Sequence, residues 1–91
     1  MKTATEAVWP MVMSALGFED DAYIVAMHAG EFEEEAENVL QLLTVMRAAA
    51  RQEDADSTQD TAAELVIALE HLGYHLNELL PALRARLDLE P

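Results

Sequence analysis

The chain has no cysteine, only three glycines and three prolines, and just five Lys and Arg among 91 residues. Without cysteine there is no disulfide to staple a small fold and no thiolate for a metal, so packing or a partner subunit must hold the core. Scarce glycine and proline, with 52% hydrophobic residues, describe a helix-forming and not a disordered chain. No apolar run approaches the roughly 18 residues that span a bilayer. The scarcity of basic residues leaves 18 Asp and Glu almost unopposed, for a net charge of -13. Such a surface repels phosphate backbones and anionic headgroups, which argues against direct binding of DNA, RNA or membranes.

Motifs for chemistry are missing as well. No glycine-rich phosphate loop is present, nor a basic patch interleaved with aromatics. The only serines, Ser14 and Ser57, sit in no nucleophile motif, and the carboxylates fall on solvated faces where nothing raises one pKa selectively. The expectation is a protein that is not an enzyme and carries no cofactor. Asp54, Asp56 and Asp60 match the first, third and seventh places of a calcium loop, but Gln59 stands where glycine is needed and Leu65 where the closing glutamate is needed. The start, Met1 to Gly17, has a faint signal-peptide character, with Lys2 before the apolar Ala7 to Leu16. Glu6 interrupts it and no clear cleavage site follows, so a cytoplasmic protein is expected.

What is present is helical periodicity. Val8, Trp9, Val12, Met13 and Leu16 form a first short stripe, and Gly17 follows where a left-handed helix cap belongs. Pro10 either opens this helix near Trp9 or kinks it. Asp20 and Asp21 supply an N-cap, and from Ala22 a seam runs Val25, Ala29, Phe32, Ala36, Val39, Leu43, Met46 and Ala50, spaced three and four apart. Gly30 lies off that seam, and one helix, bent or straight, is expected through it. The polar segment Glu53 to Thr58 marks a connection, with Thr61 and Glu64 as a capping box and Ser57 or Thr58 as the other capping candidates. Ala62, Leu65, Leu69, Leu72, Leu76, Leu79 and Leu83 then repeat the same spacing. Pro81 should bend or end that helix.

The predicted fold is therefore all-α: an antiparallel hairpin of two long helices, about 20–52 and 59–88, with a short N-terminal helix, in a single helical domain 1–91. It closes as a three-helix bundle or, by self-association, as a dimeric four-helix-type bundle. Antiparallel pairing is expected to bring Arg84 and Arg86 towards the acidic run Glu31 to Glu37. Val66, Ile67, Gly73, Tyr74, Leu80 and Leu87 form a second apolar strip that a bare hairpin would leave wet, and Leu40, Leu42 and Val45 widen the other stripe.

These leftovers direct the functional expectation. The first reading is a non-catalytic protein–protein interaction module, a homodimer whose partner docks on Ile67 and Tyr74 and on the acid of Glu31, Glu33, Glu34, Glu35 and Glu37, with Glu53, Asp54 and Asp56 as a second cluster. A second is an acidic inhibitor, of the anti-CRISPR, antitoxin or other nucleic-acid-mimic type, that occupies the basic channel of a nucleic-acid-binding protein. A third is a metal-binding bundle using His71 and His75, four apart on one helix, with Glu78 a turn further on. The Glu-x-x-His pairs of di-iron bundles are absent. The methionines Met11, Met13, Met27 and Met46 read as core fillers before they read as a binding groove.

Overall fold

The computed structural model describes residues 4–89; Met1 to Thr3, the head of the signal-like stretch, and the last two residues lie outside them. Three helices account for nearly all of the described chain: α1 (Ala4–Ala15), α2 (Ala22–Arg51) and α3 (Ala55–Leu87). α2 and α3 are the long antiparallel pair, and α1 packs on the first half of α2. No helix among the described residues is long and apolar enough to cross a membrane.

All three helices stop in the same way. A residue in the left-handed region follows the last turn, and the next amide reaches back to a carbonyl five residues earlier. In α1 that residue is Gly17 (φ +98), and the Phe18 amide bonds to the Met13 carbonyl at 3.1 Å. The motif brings Phe18 against Met13, and both are buried in the core. In α2 it is Glu53 (φ 58), with Asp54 bonding back to Ala49 at 2.9 Å. In α3 it is Asp88 (φ 59), with Leu89 bonding back to Arg84 at 2.9 Å.

Asp54 both closes α2 and opens α3. Its carboxylate accepts the Ser57 amide at 3.1 Å, while its carbonyl accepts the Thr58 hydroxyl at 2.8 Å. The connection is therefore only Gln52 to Asp54, and α3 begins at Ala55, four residues before the start near 59 expected from sequence. Ser57, Thr58 and Thr61 do not cap it; Thr61 is buried and its hydroxyl donates to the Ser57 carbonyl at 2.8 Å. α2 runs without interruption through Gly30, and α3 continues six residues past Pro81. Pro10 lies inside α1 and does not open it.

The residues screened along α2 and α3 take in most of the expected seam and a second row beside it. Along α2 one row screened from solvent runs Val25, His28, Phe32, Glu35, Val39, Leu42, Met46 and Ala49, and the expected row is screened beside it at Ala29, Ala36 and Leu43 but exposed at Ala50. Along α3 the corresponding row is Thr58, Thr61, Leu65, Ala68, Leu72, His75, Leu79 and Ala82, and the expected row is screened beside it at Ala62 and Leu83 but exposed at Leu69 and Leu76. Both of the rows named first alternate three and four, so each is a full heptad a/d stripe. Every second position coincides with the expectation, and the others are displaced by one residue. Ala29, Ala36, Leu43 and Ala50 on α2, and Ala62, Leu69, Leu76 and Leu83 on α3, thus occupy e positions, which in an antiparallel pair lie on the same side of the seam. Leu69 and Leu76 remain 47% and 42% exposed.

The result is a layer one helix thick. The molecule measures 51 × 35 × 16 Å with a radius of gyration of 16.5 Å, where a compact chain of this length would have about 12 Å. Its accessible surface is 6570 Å², against roughly 5,300 Å² expected for a compact monomer of this mass. The tightest core sits where α1, α2 and the end of α3 meet, around Met13, Phe18, Val25, Ala26 and Ala29, with Leu79, Ala82 and Leu83 packed against it.

Candidate functional site

The layer has two unlike faces. On the e side, the rows just described are flanked at b positions by Leu40 on α2 and by Val66, Gly73, Leu80 and Leu87 on α3, all but Gly73 exposed. At one end this face deepens into an apolar groove of about 430 Å³ between α1 and the hairpin, lined by Trp9, Val12, Leu16, Phe32, Ala36 and Leu79 among others. Trp9 closes one wall, and its indole N–H donates to Glu33 at 2.9 Å, which holds that carboxylate off the apolar surface. The indole packs over Gly30, where a Cβ would stand 3.5 Å from the ring, an ordinary van der Waals contact.

The opposite face carries the polar chemistry. His28, buried in the seam, and His75, directly across it on α3, approach Nδ1 to Nδ1 at 3.0 Å. One imidazole donates its proton and the other accepts. The second nitrogen of His75, Nε2, lies 3.3 Å from Glu31. Tyr74 sets its ring edge-on to both imidazoles, at centroid distances of 5.8 Å to His28 and 5.1 Å to His75. One turn along, His71 Nδ1 stands 3.6 Å from Glu35, which also accepts the Asn38 amide at 3.0 Å. Among the described residues no buried side-chain nitrogen or oxygen lacks a partner.

The residues singled out from sequence are distributed over both faces and the turn. His75 belongs to the cluster across the seam, but His71 turns to Glu35, and the trio His71, His75 and Glu78 does not converge on one point. The donor atoms of His28, Glu31 and His75 do converge, all within 4.8 Å of one another. Ile67 and Tyr74 are exposed at c positions, on the other side of α3 from Val66 and Leu80, so the second strip read from sequence is split between the two faces. Within the acidic run, Glu31, Glu34 and Glu37 are exposed, while Glu33 and Glu35 are half-buried and engaged by Trp9 and by His71 with Asn38. Arg86 does not face this run. It lies at the α1–α2 turn beside Gly17, where Glu19, Asp20 and Asp21 line the same recess, because the short connection puts the end of α3 opposite the start of α2.

Of the second acidic cluster, Glu53 and Asp54 form the turn and Asp56 lies in the first turn of α3. The bond from the Ser57 backbone amide, followed by that residue's side chain, holds the Asp54 carboxyl below its ordinary value of 3.8. Three features escaped the sequence reading. Phe18 is core, signalled by its place just after a glycine cap; His28 is in the seam; and Trp9 is tied to Glu33.

No family model, no curated protein and no solved structure matches the chain, so what it resembles is limited to what its own geometry describes.

Proposed function

We propose that the chain is a non-catalytic interaction module that works as a homodimer, two layers closing their e faces on one another into a four-helix-type core with α1 at its margins. The observation that carries this reading is the one-layer shape: roughly 1,300 Å² more surface than a compact chain of this mass would expose. A stable interface takes about 800 Å² from each partner, which is less than the excess over the whole surface.

The heptad pattern favours the same occupant. The e row, with Leu43, Leu69, Leu76 and Leu83, is more apolar than the d row that includes His28, Glu35, Thr61 and His75. A helix whose a and e positions are both apolar is built to meet two neighbours, and before Leu79, Ala82 and Leu83 reach the α1 core, α3 has only α2 beside it among the described residues. Gly73 supports it too. A helix-interior glycine costs about 1 kcal/mol relative to alanine, and a Cβ there would meet nothing within 4 Å in the same chain. Lying between Leu69, Leu76 and Leu80 on this face, Gly73 suits a close helix crossing between copies. The acidic outer edges, with Glu34 and Glu37, would then steer a basic protein partner to the assembled dimer.

Sedimentation equilibrium across the micromolar range tests the reading. The expected result is a dimer that dissociates on dilution. A chain that stays monomeric at the highest soluble concentration, with its helical spectrum intact, would refute it.

A further inference from the structure

We propose that His28, His75 and Glu31 form a binding site for a divalent transition-metal ion of the zinc class, clamping α2 to α3. The site lies on the face opposite the one assigned to self-association and stands independently of it. Its donor atoms come from both long helices and fall within 4.8 Å of one another. In a tetrahedral zinc site, ligands about 2.0–2.1 Å from the ion stand about 3.3 Å apart. His75 can offer the ion only one of its nitrogens, so of the two close approaches, 3.0 Å between the Nδ1 atoms and 3.3 Å from Glu31 to His75 Nε2, one is kept and the remaining ligand closes in from within 4.8 Å by a side-chain rotation.

The donor types select the ion. Two neutral imidazoles and one carboxylate suit zinc, cobalt or nickel, whereas magnesium and calcium require an oxygen shell that this site does not offer. Three protein ligands leave a fourth position for water. Burial contributes as well, because His28 is only 8% exposed. An imidazole in the hydrophobic seam of a heptad pair is a costly choice for packing alone, and here it faces a second imidazole on the other helix. The ion would take one lone pair from each ring. Access is through Glu31, whose side chain is 48% exposed while that of His75 is 14% exposed. Tyr74, edge-on to both rings, covers the remaining side.

The experiment is titration of the full chain with zinc by calorimetry and with cobalt by visible absorption, repeated on His75→Ala, Glu31→Gln and His71→Ala. The expected result is one ion per chain, cobalt bands of tetrahedral intensity, and a rise of several degrees in Tm with zinc but not with calcium. His75→Ala should abolish binding, Glu31→Gln should weaken it by at least about tenfold, and His71→Ala should leave it unchanged. Glu31 is exposed, so its substitution leaves the fold intact even if a seam variant loses helix. Absence of zinc binding by the wild-type chain, equal affinity in Glu31→Gln, or a loss in His71→Ala as large as in His75→Ala would each overturn the site.

Discussion

Replacing Leu69 and Leu76 together by glutamine should abolish self-association while sparing the hairpin. The two side chains sit one heptad apart on α3 and are 47% and 42% exposed in the lone chain. Full burial of a leucine is worth roughly 1.5 to 3 kcal/mol, so a little under half of that, about 1 kcal/mol for each, remains to be gained when a second copy covers them. In a two-fold dimer each position counts twice, and the four side chains together contribute about 4 kcal/mol, or roughly a thousandfold in Kd. Glutamine has nearly the length of leucine and a similar helix propensity, so the helix itself is little disturbed. Sedimentation equilibrium would read the change in Kd, and far-UV circular dichroism would confirm that the helices persist. If the double variant dimerises as tightly as the wild type, the e face is not the interface and the reasoning fails.

Three further outcomes follow from particular residues. Gly73→Ala should stabilise the dissociated chain by about 1 kcal/mol in urea, because nothing stands within 4 Å of the new Cβ, yet weaken the dimer; tighter association instead would remove Gly73 from the interface. Glu53→Gly should raise stability by about 1 kcal/mol, or several degrees in Tm, since Glu53 holds a left-handed backbone at φ 58; an unchanged or lower melting temperature would contradict the strain assigned to that turn. Asp54 stabilises through a folded-state pKa below its ordinary value of 3.8. Its contribution is therefore complete above that value and is lost as the pH falls through the lowered one. Asp54→Ala should reduce stability at neutral pH and flatten the acid limb of the stability curve, whereas Asp54→Asn should keep the cap but lose the pH dependence.

The fold was largely legible because three signals agreed. Periodicity placed both long helices, Gly17 marked the end of α1 by the left-handed conformation that it adopts, and a polar gap located the connection. The boundaries were less legible for a local reason. Asp, Ser and Thr at 54, 56, 57, 58 and 61 are all capping types, and composition alone does not say which of them is used. The chain uses Asp54, the earliest, because Glu53 accepts the left-handed position usually left to glycine. At the prolines the alternatives excluded are a helix start at Pro10 and a helix end at Pro81, since both lie inside helices. The loss of one hydrogen bond at Pro81 is local, and packing of Leu79, Ala82 and Leu83 against the core carries α3 through it.

Hydrophobicity was the guide to the seam, and it found one of two adjacent rows that the fold screens, leaving the polar row beside it unread. Between His28 and Ala29, Glu35 and Ala36, or His75 and Leu76, the apolar residue was the natural choice for the interior. The structure screens both residues of the first two pairs, Ala29 more fully than His28, and at the third only the polar one; the polar residues are satisfied, His28 with His75, and Glu35 with His71 and Asn38. Paired polar groups in a seam restrict register, since sliding α3 by one turn would leave an imidazole and a carboxylate without partners at a cost of about 1 to 3 kcal/mol each. An all-leucine seam would tolerate the slip. A hairpin aligned by histidine and glutamate can therefore turn its leucines outward, and that division of labour connects the two proposals: the polar row fixes how α2 meets α3, which leaves the apolar row free for a second copy.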